Sequence, residues 1–201
     1  MSGDDRLRQL LKDHDAWRTG HFLLSSGMHS DQYVQCQKIL QYPRYGMMLA
    51  RVMVERVGAL GLQVDSVVGP ALGAVHWELL LACALEEASR ERPVKAVFAE
   101  RRSEGDGFEI RRGVIMEPGE RFLVAEDVST TGGSAKKVVE LIRSLGAEPV
   151  AVAAIVDRGG AAAAFDVPLV SLLSLQLITF APGDCTLCRQ GLPLDKPGSS
   201  R

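Results

Sequence analysis

From about Val64 onward, short apolar runs alternate with segments of helical period. Asp65-Ser-Val-Val-Gly-Pro70 reads as a buried strand closed by Gly69-Pro70, and Gly73–Arg90 as a helix that is apolar through Leu79, Leu80, Leu81 and Leu85. Val94–Phe98 is a second strand. Arg121–Asp127 is a third, apolar until two carboxylates appear at its end. Ser134–Leu145 then sets Ala135, Val138, Val139, Ile142 and Leu145 at i, i+3, i+4 spacing, a stripe that faces a core, and Gly146 supplies the stop. Val150–Val156 is apolar on both faces, as strands inside a parallel sheet are. Strand, helix and strand in this order predict an α/β protein with an open, mostly parallel twisted sheet flanked by helices. Ligands of such sheets gather at the C-terminal strand ends. That rule singles out Gly69–Gly73, Glu126–Ser134 and Asp157–Gly160.

The N-terminal third has a different texture. A helix over about Asp4–His14, a polar stretch over Thr19–Gln37 and a helix over about Pro43–Leu60 suggest a cap laid over the ligand end of the sheet. Gly105–Gly113, charged and punctuated by glycine, reads as a mobile loop, and the proline-bearing tail after Thr179 as irregular chain.

A length of 201 residues fits one domain, with 46% hydrophobic and 24% charged residues as in a compact globule. The net charge of −2 gives no support for a coat on duplex nucleic acid, and no apolar run approaches the ~20 residues that span a bilayer. The opening MSGDDRLRQL lacks the apolar core of a secretory signal, so a soluble cytoplasmic protein is expected. Four cysteines, at 36, 83, 185 and 188, form no disulfide framework. The Cys185-x-x-Cys188 pair is open to three readings: half of a zinc site completed by Cys36, Cys83 or a partner subunit, a redox pair, or two reduced thiols. His14, His21, His29 and His76 show no ligand spacing in the sequence, and surface or packing roles are expected of them.

The most informative stretch is Phe122-Leu-Val-Ala-Glu-Asp-Val-Ser-Thr-Thr-Gly-Gly-Ser134. A strand ends in an acidic pair, a loop of hydroxyls and glycines follows, and a helix begins. Backbone N–H groups of such a loop, with the helix dipole behind them, make a phosphate cradle. Thr130, Thr131 and Ser134 add hydroxyls, and Gly132 and Gly133 permit close approach. Two carboxylates beside a phosphate site make sense when a sugar lies between, its vicinal hydroxyls donating to Glu126 and Asp127. The segment carries neither a Walker loop nor a G-x-G-x-x-G fingerprint.

FLVAEDVSTTGGS resembles the phosphoribosyl-diphosphate (PRPP) motif of type I phosphoribosyltransferases. Gly20–Ser30 with Tyr33, Val68–Gly73, Val156–Gly160, Arg111-Arg-Gly113 and Lys196-Pro-Gly-Ser199 are similar to the orotate-using branch of that family, in matching order over nearly the whole chain. The resemblance implies one phosphoribosyltransferase domain over 1–201, with a core at about 43–178 and a hood formed by about 1–40 and the tail 179–201. It implies transfer of a 5-phosphoribosyl group from PRPP to orotate, Mg²⁺ held mainly by the PRPP diphosphate and water with no protein metal cage, and a homodimer. Another base, or a PRPP-sensing regulator of the same fold, is the alternative.

By the same resemblance Glu126, Asp127, Val128, Ser129, Thr130, Thr131, Gly132, Gly133 and Ser134 hold PRPP together with Arg101 and Arg102. Glu126, Asp127 and Arg101 take the catalytic roles, and Thr130 and Arg158 contact orotate. Ala71, Leu72 and Gly73 form the pyrophosphate loop, through backbone alone since Leu72 and Gly73 stand where many relatives have lysine. Arg111 and Arg112 are further cations for the departing diphosphate. Tyr33 and Phe22 belong to the hood. A planar guanidinium at Arg158 suits a base carboxylate, and a salt bridge to Asp157 is the competing reading.

Overall fold

The computed structural model describes residues 3–24, 26–89 and 93–197. Ser25 of the N-terminal motif, the helix end expected at Arg90, and Gly198-Ser199 of the tail motif lie outside the described residues.

The sheet that carries the site has six strands. In chain order these are β3 (Ser66–Pro70), β4 (Lys95–Arg101), β5 (Phe108–Glu109), β6 (Arg121–Ser129), β7 (Glu148–Asp157) and β8 (Leu169–Ser174), in spatial order β5-β4-β3-β6-β7-β8. All neighbours are parallel except β5, which pairs antiparallel with β4. Every residue of β3 is buried, which is why its sequence shows no alternation. Side chains of β6 divide between two cores. Leu123 and Ala125 face one built with α1 (Gly3–Asp13), α3 (Pro43–Gly58) and α4 (Val75–Ser89), while Phe122 and Val124 face another built with α5 (Gly133–Ser144). Buried Ala135, Val138, Val139 and Ile142 give α5 the expected stripe. Leu145 does not join it: the helix has ended, and Leu145 is 45% exposed.

The polar stretch expected as a cap is a hairpin. β1 (Trp17–Leu23) and β2 (His29–Val34) pair antiparallel, with a register irregularity between Thr19 and Phe22, and β9 (Thr179–Phe180) adds a third strand. A short helix, α2 (Gln37–Leu40), follows β2. The tail is also more ordered than expected. It contains α6 (Thr186–Arg189), and Asp195 pairs with β1 through Leu23 N–H to Asp195 O and Asp195 N–H to His21 O, each 2.8 Å. Nor is Gly105–Gly113 wholly loop: it contains β5, whose Phe108 is buried in the α5 core. No helix among the described residues is long and apolar enough to cross a membrane.

Candidate active site

The C-terminal ends of β3, β6 and β7 meet where the sequence pattern places them. Glu126, near the end of β6, is 8% exposed and accepts the Ala135 N–H at the start of α5. Burial, with Asp127 beside it, pushes its carboxyl up to about 8. Asp127 is half-buried and also raised by burial, although its Oδ1 accepts the Val128 N–H at 2.8 Å. A Cβ on Gly73 would lie 3.5 Å from Asp127 Oδ1, so this carboxylate faces the β3–α4 loop. At neutral pH Glu126, raised to about 8, therefore largely keeps its proton.

Gly132 caps α5 with φ of 76°, and a Cβ there would meet Phe165 Cζ at 2.7 Å. Only glycine fits both the backbone and the space, and with Ala135 N–H taken by Glu126 the Gly133 and Ser134 N–H groups at the start of α5 make no main-chain bond among the described residues. They face a cleft of about 240 Å³ lined by Glu126, Val128 through Ser134, Arg101, Phe108 and Lys137. Ser129 is buried, and its hydroxyl has no partner among the described residues. An unmet buried hydroxyl at a cleft wall is a group that a bound phosphate or ribose satisfies.

Across from this cradle, Ala71–Gly73 joins β3 to α4, with a cis peptide between Ala71 and Leu72. The Ala71 N–H is taken by Ala99 O at 2.8 Å, whereas those of Leu72 and Gly73 make no main-chain bond among the described residues. Leu72 is 85% exposed. The backbone donors of this loop are therefore those of Leu72 and Gly73.

A second cavity, about 370 Å³, adjoins the cradle and shares Thr130 and Thr131 with it. Arg158 and Gly159 form one side, and Leu24, Ser26 and Met28 of the β1–β2 loop, with Leu177 and Thr179, complete it. Arg158 is half-buried, which depresses its pKa, while Asp31 and Tyr33 favour its charge. Among the described residues no ion pair joins it to Asp157, which instead accepts the Gly159 N–H at 3.0 Å. Thr130 and Arg158 thus come together in a cavity whose apolar half the sequence does not single out. Tyr33 bonds Gln35 at 2.8 Å and stacks on Phe22 with ring centroids 5.7 Å apart. Phe22 itself is 2% exposed and packs the hairpin, outside the Arg158 cavity.

The four arginines separate into two groups. Arg101 lines the cleft with its guanidinium 5.2 Å over the Phe108 ring. Arg102 is exposed beside Gly107. Arg111 is paired with Glu109 at 2.5 Å and Arg112 with Glu100 at 2.7 Å. Lys137, one turn into α5, was not singled out by any motif. It lines the cleft and pairs with Asp106 at 2.6 Å, tying the 105–113 segment to the cradle.

His14 packs against Tyr42 and Tyr45, and His76 bonds Gln37. His21 and His29 depart from the expectation of scattered roles: their rings meet beside Cys185 and Cys188. Neither Cys36, whose thiol bonds Asp127 O at 3.7 Å, nor exposed Cys83 belongs to that group.

An acidic strand end, a hydroxyl–glycine loop and a helix N-terminus at the rim of a parallel sheet define a phosphoribosyl-binding α/β domain. Residues 35–185 match the family model described as phosphoribosyl transferase domain. The chain is 44% identical to orotate phosphoribosyltransferase of Caldanaerobacter subterraneus subsp. tengcongensis, over 98% of each chain. It is 42% identical to orotate phosphoribosyltransferase of Thermotoga maritima, over 96% of this chain and 97% of the other. The solved orotate phosphoribosyltransferase of Aeropyrum pernix superposes with a TM-score of 0.70 at 30% identity, covering 85% of this chain and 94% of that one. The chain belongs to the phosphoribosyltransferases and, within them, to the orotate phosphoribosyltransferase family.

Proposed function

We propose that this chain transfers the 5-phosphoribosyl group of PRPP to orotate, releasing pyrophosphate and forming orotidine 5′-monophosphate for pyrimidine synthesis. The observation that carries this reading is the shared wall of Thr130 and Thr131 between a phosphate cradle and a cavity holding Arg158. A 5-phosphoribosyl group held in the first presents its anomeric carbon toward a base held in the second. Arg158 pairs with the base carboxylate, and the apolar side chains of Leu24, Met28 and Leu177 cover the ring.

Departure of pyrophosphate leaves positive charge on the anomeric carbon. The protein's task is positioning and electrostatics rather than covalent chemistry. Asp127 and Glu126 take the two ribose hydroxyls; Glu126, raised to about 8, can donate its proton and so spares an anionic site a full second negative charge. Leu72 and Gly73 N–H groups and Arg101 stabilise charge on the departing diphosphate. The hard oxygen donors here suit Mg²⁺, which the diphosphate and water would hold against Asp127, and which neutralises leaving-group charge when bound.

The same reading makes the chain one domain, with a core of about 43–178 under a hood of 1–40 and 179–201, working in the cytoplasm as a homodimer. Exposed Met48 and Val52 on α3 and Leu79 on α4, adjacent helices joined by Arg51 and Glu87, support a self-association face. The reaction is tested by orotate absorbance with PRPP and Mg²⁺, with adenine, hypoxanthine, xanthine and uracil in parallel. Loss of orotate only when PRPP and Mg²⁺ are both present is expected; turnover of another base but not orotate would overturn the assignment.

A further inference from the structure

Four side chains distant in sequence converge under the hood. His21 Nε2 lies 2.9 Å from His29 Nδ1, 3.4 Å from Cys185 Sγ and 3.6 Å from Cys188 Sγ, and Cys188 Sγ lies 3.3 Å from His29 Nδ1. All four donor atoms fall within 4.8 Å of one another. A tetrahedral zinc ion with bonds of about 2.0–2.1 Å to nitrogen and about 2.3 Å to sulfur separates its ligands by roughly 3.3–3.8 Å. The four distances given lie within about half an ångström of that geometry, and the remaining pairs, within 4.8 Å, reach it by closing about 1 Å at most.

Hydrogen bonding alone accounts for the cluster poorly. His21 Nδ1 is 2.9 Å from Leu192 O, and a carbonyl only accepts, so the ring proton sits on Nδ1. The neutral ring then offers one lone pair, at Nε2. Three groups crowd that single lone pair: His29 Nδ1, Cys185 Sγ and Cys188 Sγ. A cation at the centre gives every donor a use, and the bond to Leu192 is the kind of outer contact that fixes the tautomer of a metal-bound histidine.

We propose that His21, His29, Cys185 and Cys188 bind one zinc ion. Two nitrogens and two sulfurs in tetrahedral disposition select zinc among common divalent metals, and four protein ligands leave no open position, so the site is structural. Its placement gives it a second consequence, which rests on the function proposed above. His21 and His29 flank the β1–β2 loop, whose Leu24, Ser26 and Met28 line the Arg158 cavity. The metal anchors both ends of that loop to the C-terminal segment. It acts as a positioning element for the base cavity without touching the base.

The test begins with metal content. Full-length protein purified without a metal-affinity step is analysed by elemental mass spectrometry, and its zinc is exchanged for cobalt. One zinc per chain is expected, with thiolate-to-cobalt charge transfer and intense tetrahedral d–d bands after exchange. Cys188→Ser and His29→Ala should lose zinc to a chelator under conditions that leave the wild type and Cys83→Ser loaded. Reduced Cys185 and Cys188 in metal-free protein as purified, a Cys185–Cys188 disulfide, or zinc retained by a Cys185→Ser/Cys188→Ser double variant would each overturn the site. Where Cys188→Ser folds, by circular dichroism, its KM for orotate should rise while its KM for PRPP holds. Unchanged KM for orotate in zinc-free protein would overturn the positioning role alone. Because metal content is read without turnover, failure of the activity assignment leaves this result independent.

Discussion

The Arg158 N–H donates to the Ser129 carbonyl at 2.9 Å. This bond locks the end of β7 to the start of the phosphate loop, so the guanidinium and the phosphate cradle keep a fixed spacing. Arg158→Ala leaves the main-chain bond in place and removes only the fork. KM for orotate is expected to rise roughly 10–100-fold, the range for a lost hydrogen bond to a charged group, with KM for PRPP within a few-fold. Steady-state kinetics with each substrate varied checks this, and equal losses for both would contradict the division of labour between the two cavities.

Asp127 faces the β3–α4 loop and Glu126 the helix start, so their substitutions should differ. Asp127→Asn should preserve the fold and lower kcat/KM for PRPP on the order of 10–100-fold. Glu126, whose carboxyl sits near pKa 8, ionises as pH rises through that value. In the wild type kcat/KM for PRPP should fall between about pH 7 and 9 as Glu126 loses its proton and adds negative charge beside an anionic substrate. Glu126→Gln should flatten that limb; a retained inflection would assign it to another group.

Arg101 lines the cleft with no ion pair among the described residues, its charge reaching Asp106 only at longer range, whereas Arg111 and Arg112 are held by Glu109 and Glu100. Arg101→Ala should lower kcat roughly 10²–10³-fold, as removal of one charge-stabilising donor does, with smaller losses for Arg111→Ala and Arg112→Ala. Turnover of the three variants at saturating substrate ranks them. A larger loss at Arg111 or Arg112 would mean that the 105–113 segment rearranges on binding.

Glu78 on α4 lies beneath the β3–α4 loop, 2% exposed, accepting the Gly69 N–H while its Oε2 has no partner among the described residues. Burial pushes it up to about 9, against about 4.3 for an unperturbed glutamate. The folded state thus holds the proton more tightly than the unfolded chain does. Its stabilising effect is full below about pH 4 and is lost progressively as pH rises toward 9. Glu78→Gln should be more stable than the wild type at neutral pH, by a margin that widens by up to ~1.4 kcal/mol per pH unit until about pH 9. Urea unfolding of both proteins across this range reads the difference; parallel pH profiles would show Glu78 already ionised in the fold.

Much of this geometry was legible in residue order. Strands buried on both faces, such as Val150–Val156, announce a parallel sheet by losing alternation, and the acid–hydroxyl–glycine run of 126–134 falls across the strand end and helix start that its pattern predicts. The β1–β2 hairpin stayed hidden because its register slips between Thr19 and Phe22, breaking the period-two pattern. The apolar half of the base cavity comes from Leu24, Met28 and Leu177, which no spacing rule connects. The same holds for His21 and His29: metal-ligand spacing is sought within a local motif, whereas here a hairpin brings the histidines together and a tail some 160 residues away brings the cysteines.

The most direct test of the central assignment compares orotate with uracil, the same ring without its carboxylate, in wild type and Arg158→Ala. The wild type should prefer orotate in kcat/KM by on the order of 10²-fold or more, because uracil leaves a half-buried guanidinium without its partner. In the variant that preference should largely collapse. A preference of the same size in both proteins would contradict recognition of the base carboxylate by Arg158.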